Sequence, residues 1–165
     1  MNQRLRSSEP LSLAAQFLGL LTAVEALMLW AAPLGDLFLR LWVANAFWVS
    51  GMTKIESWDV TLQLFEYEYS VPLLPPVYAA YLGTAAEIGL PIFIVFGLFG
   101  RWAALALFGF NIIAVVSYPA LYEKGYGPGL EQHIVWGLML FTLMLRGPGW
   151  LSIDGWFSRT TEPQD

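Results

Sequence analysis

Two apolar runs, VYAAYLGTAAEIGLPIFIVFGLF and WAALALFGFNIIAVVSYPAL, follow one another between residues 77 and 121 with only Gly100 and Arg101 as the joint. Each run is about the ~20 residues that cross a ~30 Å hydrocarbon core as a helix. So short a joint leaves no room for a soluble domain, and the pair reads as a membrane helical hairpin. Two polar residues interrupt it, Glu87 in the first run and Asn111 in the second. At a rise of ~1.5 Å per residue both lie ~14–16 Å deep, level with each other near the bilayer midplane. They are expected to form an intramembrane polar pair. Ala80, Gly83, Thr84 and Glu87 follow helical spacing, so the carboxyl shares a small-residue face that another helix can approach closely.

Composition agrees with a membrane chain. Hydrophobic residues make up 57% and charged residues only 13%, with a mean hydropathy of +0.57. Trp42, Trp58, Trp102, Trp136, Trp150 and Trp156 fall near the ends of apolar runs, where an interfacial aromatic belt places them. The absence of cysteine removes disulfide exchange, thiolate-bound iron–sulfur clusters and covalent c-type haem. One histidine rules out a bis-His haem within a single copy. A net charge of −5 without a basic patch argues against nucleic acid as a partner.

Taken in order, residues 1–10 are a polar tail with Arg4 and Arg6, and residues 11–33 form an apolar run that ends at Pro33. That run either spans the membrane or lies along its interface. Residues 34–155 carry four further elements of a bundle. Asp36 to Lys54 forms a span with Arg40 and Lys54 at opposite ends, each expected to snorkel to its interface. Residues 55–76 form an acidic loop that lies on the bundle, the hairpin follows, and Gln132 to Leu145 is the last span. Residues 156–165 are a polar tail. With 11–33 interfacial, one side holds Arg4, Arg6, Arg40, Arg101, Arg146 and Arg159, and the other only Lys54 and Lys124. The asymmetry places both termini in the cytoplasm. The expected fold is all-α: an integral four-helix membrane bundle with an extra N-terminal apolar helix.

Two constellations are candidates for chemistry. The first is Glu87 with Asn111, which either handles protons or simply fixes the hairpin through an interhelical hydrogen bond. The second is a ring near the non-cytoplasmic surface made by Lys54, Tyr81, Tyr118 and His133, with Glu66 or Glu68 folding over it from the acidic loop. A quinone head group needs hydrogen-bond donors, an aromatic wall and a group that trades protons near neutral pH, and His and Tyr supply these. The plainer alternative is a Tyr/His interface belt with a Lys–Glu pair at its rim. No metal site is expected. The outer face is acidic (Glu56, Asp59, Glu66, Glu68, Glu123, Glu131), but no His or Cys pair has ligand spacing.

RLWVANAFWVSGMTK, AAEIGLPIFIVFGLFGRWAALALFGFN, the lone His133 opening the last span, and RGPGWLSID together resemble the DoxX family of small four-helix membrane proteins. The likeness covers roughly residues 36–155. LFEYEYSVPLLPP and the SYP at 117–119 look like a proteobacterial branch found beside enzymes that modify metal-binding peptides. The resemblance implies a bacterial inner-membrane protein, in some members a membrane subunit of a quinone-linked oxidoreductase. It carries over no catalytic residue. The function expected is therefore a membrane subunit or anchor of a quinone-linked redox system. Such a chain has no tightly bound cofactor of its own and works with a protein partner or as a homo-oligomer. A non-enzymatic scaffold for peptide maturation or metal-stress handling is the alternative, and a small transporter the third.

The cation asymmetry makes a direct prediction. Reporter fusions after Asp165 and within Gly125–Gly129 are expected on the cytoplasmic and periplasmic sides respectively, and a signal from the same side for both contradicts it.

Overall fold

A computed structural model of the chain describes residues 13–123 and 127–161, all of them helix, turn or loop. The Arg4 and Arg6 tail, Lys124 and the last four residues lie outside the described residues. The chain divides into two units at Pro33.

Helix α1 runs Leu13–Glu56 and contains Pro33. Pro33 was expected to end the first run. It removes one backbone donor, and membrane helices tolerate that loss. The first unit is the helical segment 13–32, whose side chains are almost all exposed: Leu20, Leu27, Leu29 and Trp30 present apolar surface around it.

The second unit is the bundle. From Pro33 onward α1 buries Arg40, Val43, Ala44, Phe47 and Gly51 on a single face. Helix α2 (Trp58–Tyr67) lies within the acidic loop, and Thr61 Oγ1 donates to the Lys54 carbonyl at 2.9 Å to tie it to α1. Helices α3 (Pro76–Phe96) and α4 (Gly100–Ser117) form the hairpin. A 3-10 turn (Pro119–Tyr122) follows, then α5 (Gly127–Arg146) and a short α6 (Ile153–Thr161). By length and composition α1, α3 and α4 each suffice to cross a membrane. Helix α5 is less apolar because Glu131, Gln132 and His133 occupy its opening turns. It completes the bundle by packing on α4, with Leu140 and Leu143 in the same core as Val43, Phe47, Ile94, Ala104 and Leu107. Phe47 meets both Phe110 of α4 and Trp136 of α5.

The joint of the hairpin is Gly97–Phe99, earlier than the Gly100–Arg101 expected. Gly97 takes a left-handed φ of 61°, which a glycine adopts without strain. Its N–H reaches the Ile94 carbonyl and the Leu98 N–H the Phe93 carbonyl, so the end of α3 closes on itself. Gly100 and Arg101 then belong to the first turn of α4. The Asp154 carboxylate caps that turn, accepting from the Phe99 N–H at 3.0 Å and the Gly100 N–H at 2.7 Å. Arg101 caps α5 in the opposite sense by donating to the Leu145 and Arg146 carbonyls.

Arg40 does not snorkel. Arg40 is 1% exposed, and its guanidinium donates to the carbonyls of Val95, at 3.0 Å, and Leu151. The last carbonyls of a helix have no partner within it, and the planar guanidinium satisfies one of them, Val95, together with the Leu151 carbonyl of the connection after α5. The segment 147–155 is thereby clasped against the α3–α4 joint. Residues 156–161 are helical, as the second half of α6, with Trp156 and Phe157 exposed and Arg159 stacked on Trp150.

Replacing Asp154 with Ala uncaps both donors at the start of α4. Thermal unfolding of the detergent-purified protein is expected to show a loss of about 1 kcal/mol, with Asp154→Asn losing less. No change in Asp154→Ala contradicts the cap.

Candidate functional site

The small face of α3 meets α1 at Gly51. A side chain there would collide with Glu87 and Ile88, so the missing Cβ sets how closely the helices approach. That approach brings Glu87 to the last turns of α1 rather than to Asn111. Lys54 Nζ donates to Glu87 Oε2 at 2.7 Å, to Oε1 at 2.9 Å and to Ser50 Oγ at 2.9 Å; Ser50 Oγ in turn donates to Glu87 Oε1 at 3.2 Å. The pair is largely enclosed, with the side chains 14% and 8% exposed. An ammonium has three protons, and here all three are engaged. Lys54 therefore turns inward to the carboxylate, and the expected snorkelling does not occur.

Asn111 belongs to a second pair, with α5. Its Nδ2 donates to the His133 carbonyl at 3.0 Å, and its Oδ1 lies 2.8 Å from His133 Nδ1. Gly137, one turn on, leaves room for the amide. The expected Glu87–Asn111 pair is thus two separate pairs, one on α1–α3 and one on α4–α5.

A third feature comes from the loop. Phe65, Tyr69 and Tyr118 stack in series, with centroids 4.7 and 4.8 Å apart and planes 23° and 27° from parallel. The Ser70 N–H bonds the Ser117 carbonyl at 2.7 Å and pins the loop to the end of α4. Tyr118 Oη donates to Glu68 Oε2 at 3.3 Å. Burial, with the nearby Tyr118, Glu87 and Glu68, pushes the Tyr69 phenol up to about 12. Tyr69 therefore stays protonated and able to donate at any physiological pH.

These parts surround a cavity of about 340 Å³. Lys54, Glu87, Ser50, Ser117, His133 and the two tyrosines supply its polar wall; Phe65, Leu82, Ala86, Phe110 and Ile113 are among its apolar ones. Two of its apolar lining residues, Leu82 of α3 and Ile113 of α4, are also exposed on the surface. Ser117 Oγ is buried in its wall with no hydrogen-bond partner. Larger hollows exist, among them an open groove of about 580 Å³ lined by Phe38, Trp42, Trp48 and Phe96 of α1 and α3.

Of the ring expected from the sequence, Lys54, Tyr118 and His133 line the chamber and Glu68 holds Tyr118. Tyr81 and Glu66 lie elsewhere. Tyr81 is exposed and packs on Trp58, and Glu66 is exposed on α2. Ser50, Tyr69, Phe65 and Ser117 were not foreseen. No group of three or more His, Asp or Glu is placed to hold a metal ion among the described residues.

Fold and site together define a small helical membrane-protein bundle with an internal, polar-walled chamber. The chain belongs to the DoxX family, which matches residues 35–120, just over half its length. It is also similar to a Haemophilus influenzae protein described as uncharacterized, 27% identical over 123 residues that cover 72% of this chain and 80% of that protein. No solved structure matches. The family match begins two residues after Pro33, so the 13–32 segment precedes the family's core.

The Lys54–Glu87 pair yields a prediction for stability. Lys54→Met strands a carboxylate in an apolar bundle and is expected to destabilise by about 3–5 kcal/mol, whereas the double change Lys54→Met with Glu87→Leu recovers most of that loss. Thermal unfolding in one detergent compares the variants. A double mutant as unstable as the sum of the singles contradicts a mutually dependent pair.

Proposed function

We propose that this protein is a membrane subunit or anchor of a quinone-linked redox system, and that the chamber receives a quinone head group. The observation that carries the reading is the chamber itself. It sets apolar side chains, among them the surface-exposed Leu82 and Ile113, beside hydroxyls, an imidazole and a flat aromatic stack. Its volume is at the small end of ligand pockets and suits a single ring. The residues fit such a group: the buried Ser117 hydroxyl lacks a partner, and Tyr69 presents a phenol that remains protonated. A quinone supplies two-electron carriage when bound. The chain's own residues hold the ring, exclude water and exchange a proton through His133.

No redox centre is bound tightly by this reading, so the electrons pass to or from a partner protein or a second subunit. The membrane is the bacterial inner membrane. The clasped end, where Arg40, Arg101, Arg146 and Arg159 gather, faces the cytoplasm, and the chamber lies toward the other side.

Solvent extraction of protein purified from native membranes in mild detergent tests the reading. Co-purifying quinone is expected, and Ala86→Phe, which fills the chamber while leaving Lys54 and Glu87 in place, lowers it several-fold. Equal quinone in both proteins, or none in either, defeats the reading.

A further inference from the structure

The hydrogen bonds around Asn111 fix which nitrogen of His133 carries the proton. Asn111 Nδ2 donates to the His133 carbonyl at 3.0 Å, so the amide cannot be turned over without setting two oxygens against each other. Its Oδ1 therefore faces His133 Nδ1 at 2.8 Å, and an amide oxygen only accepts. Nδ1 must donate. In a neutral imidazole this leaves Nε2 as a bare lone pair. Nε2 engages no partner among the described residues, and His133 lines the chamber.

The other polar groups of the wall do not offset this. All three protons of Lys54 are taken by Ser50 and Glu87. Ser117 Oγ and the Tyr69 hydroxyl rotate to suit either a donor or an acceptor. With Asn111 holding Nδ1–H, the Nε2 of the neutral ring accepts from a hydroxyl but repels a carbonyl oxygen. Building on the quinone reading above, we infer that the chamber selects an aromatic hydroxyl, a hydroquinone or phenol placed on His133 Nε2, over the corresponding quinone, with Asn111 as the positioning residue. The stack of Phe65, Tyr69 and Tyr118 supplies the flat wall that favours an aromatic ring over an aliphatic alcohol.

Isothermal titration of the purified full chain with three probes tests this: decylubiquinol kept reduced, decylubiquinone, and the dimethyl ether of the quinol. The quinol is expected to bind at least about tenfold more tightly than the other two, because a buried acceptor left facing a lone pair loses its hydrogen bond. In Asn111→Leu the imidazole is free to change tautomer, and the preference is expected to fall to within about twofold. Since Asn111→Leu is exposed to the objection of misfolding, the tautomer is also read in the wild type. The chain has one histidine, so ¹⁵N labelling gives a single imidazole signal pair, expected as Nδ1–H with bare Nε2. Equal affinity for quinol and quinone, or an Nε2–H tautomer, overturns this inference and leaves the quinone reading standing. Failure of all three probes to bind overturns both.

Discussion

A carboxylate inside an apolar bundle must be neutralised, and Glu87 is the group around which the bundle is arranged. Burying it alone costs several kcal/mol, so a cation has to be brought to it and the remaining lone pairs satisfied. Lys54 does the first and Ser50 the second. Both stand on α1 one turn apart, and Gly51 between them lets α1 close on α3. The position of α1 in the bundle thus follows from where the carboxyl sits on α3. Phe47, one turn further back, then reaches Phe110 and Trp136 and fastens α1 to α4 and α5.

The two ends of the bundle solve different problems. At the clasped end, helix termini leave backbone groups without partners, and charged side chains take them up: Asp154 at the start of α4, Arg101 at the end of α5, Arg40 at the end of α3. The charged groups there hold backbone ends together, with Arg40 Nε itself buried and without a partner among the described residues. At the other end α2 lies over the bundle through Phe65 and Thr61, and the closure is incomplete. A buried serine hydroxyl has no partner, and one imidazole nitrogen is unused. Function is more easily accommodated where satisfaction of polar groups is left unfinished.

Much of the fold is legible in the sequence because run length and helical period are local quantities. The hairpin and the small face of Ala80, Thr84 and Glu87 follow from spacing. Partner choice is not local. Counting depth puts Glu87 level with Asn111, but depth says nothing of direction around the helix axis, and Asn111 points to α5. Lys54 stands near the end of its helix, yet its long stem carries the ammonium inward to the carboxylate. The outward placement of Tyr81 and Glu66 is itself a local quantity. Tyr81 and Glu87 are six positions apart, about 120° around a helix, so they do not share a face. Glu66 follows the buried Phe65 and turns away from it by about 100°. Tyr69 and Ser117 carried no signal, because a loop tyrosine and a helix-end serine are ordinary until a hydrogen bond between backbones joins Ser70 to Ser117.

The charge balance of the chamber narrows what enters it. Lys54 and Glu87 cancel, and each is engaged by the other, so neither an anion nor a cation meets an unpaired opposite charge there. What remains unspent is neutral: a serine hydroxyl, a protonated phenol and one nitrogen lone pair. An ionised ligand would surrender its hydration without compensation. A neutral, ring-bearing molecule loses little, and the lining residues Leu82 and Ile113 are themselves exposed on the apolar surface that lipid would cover. The ion pair thereby acts on the ligand mainly by exclusion, and Tyr69, Ser117 and His133 do the recognition.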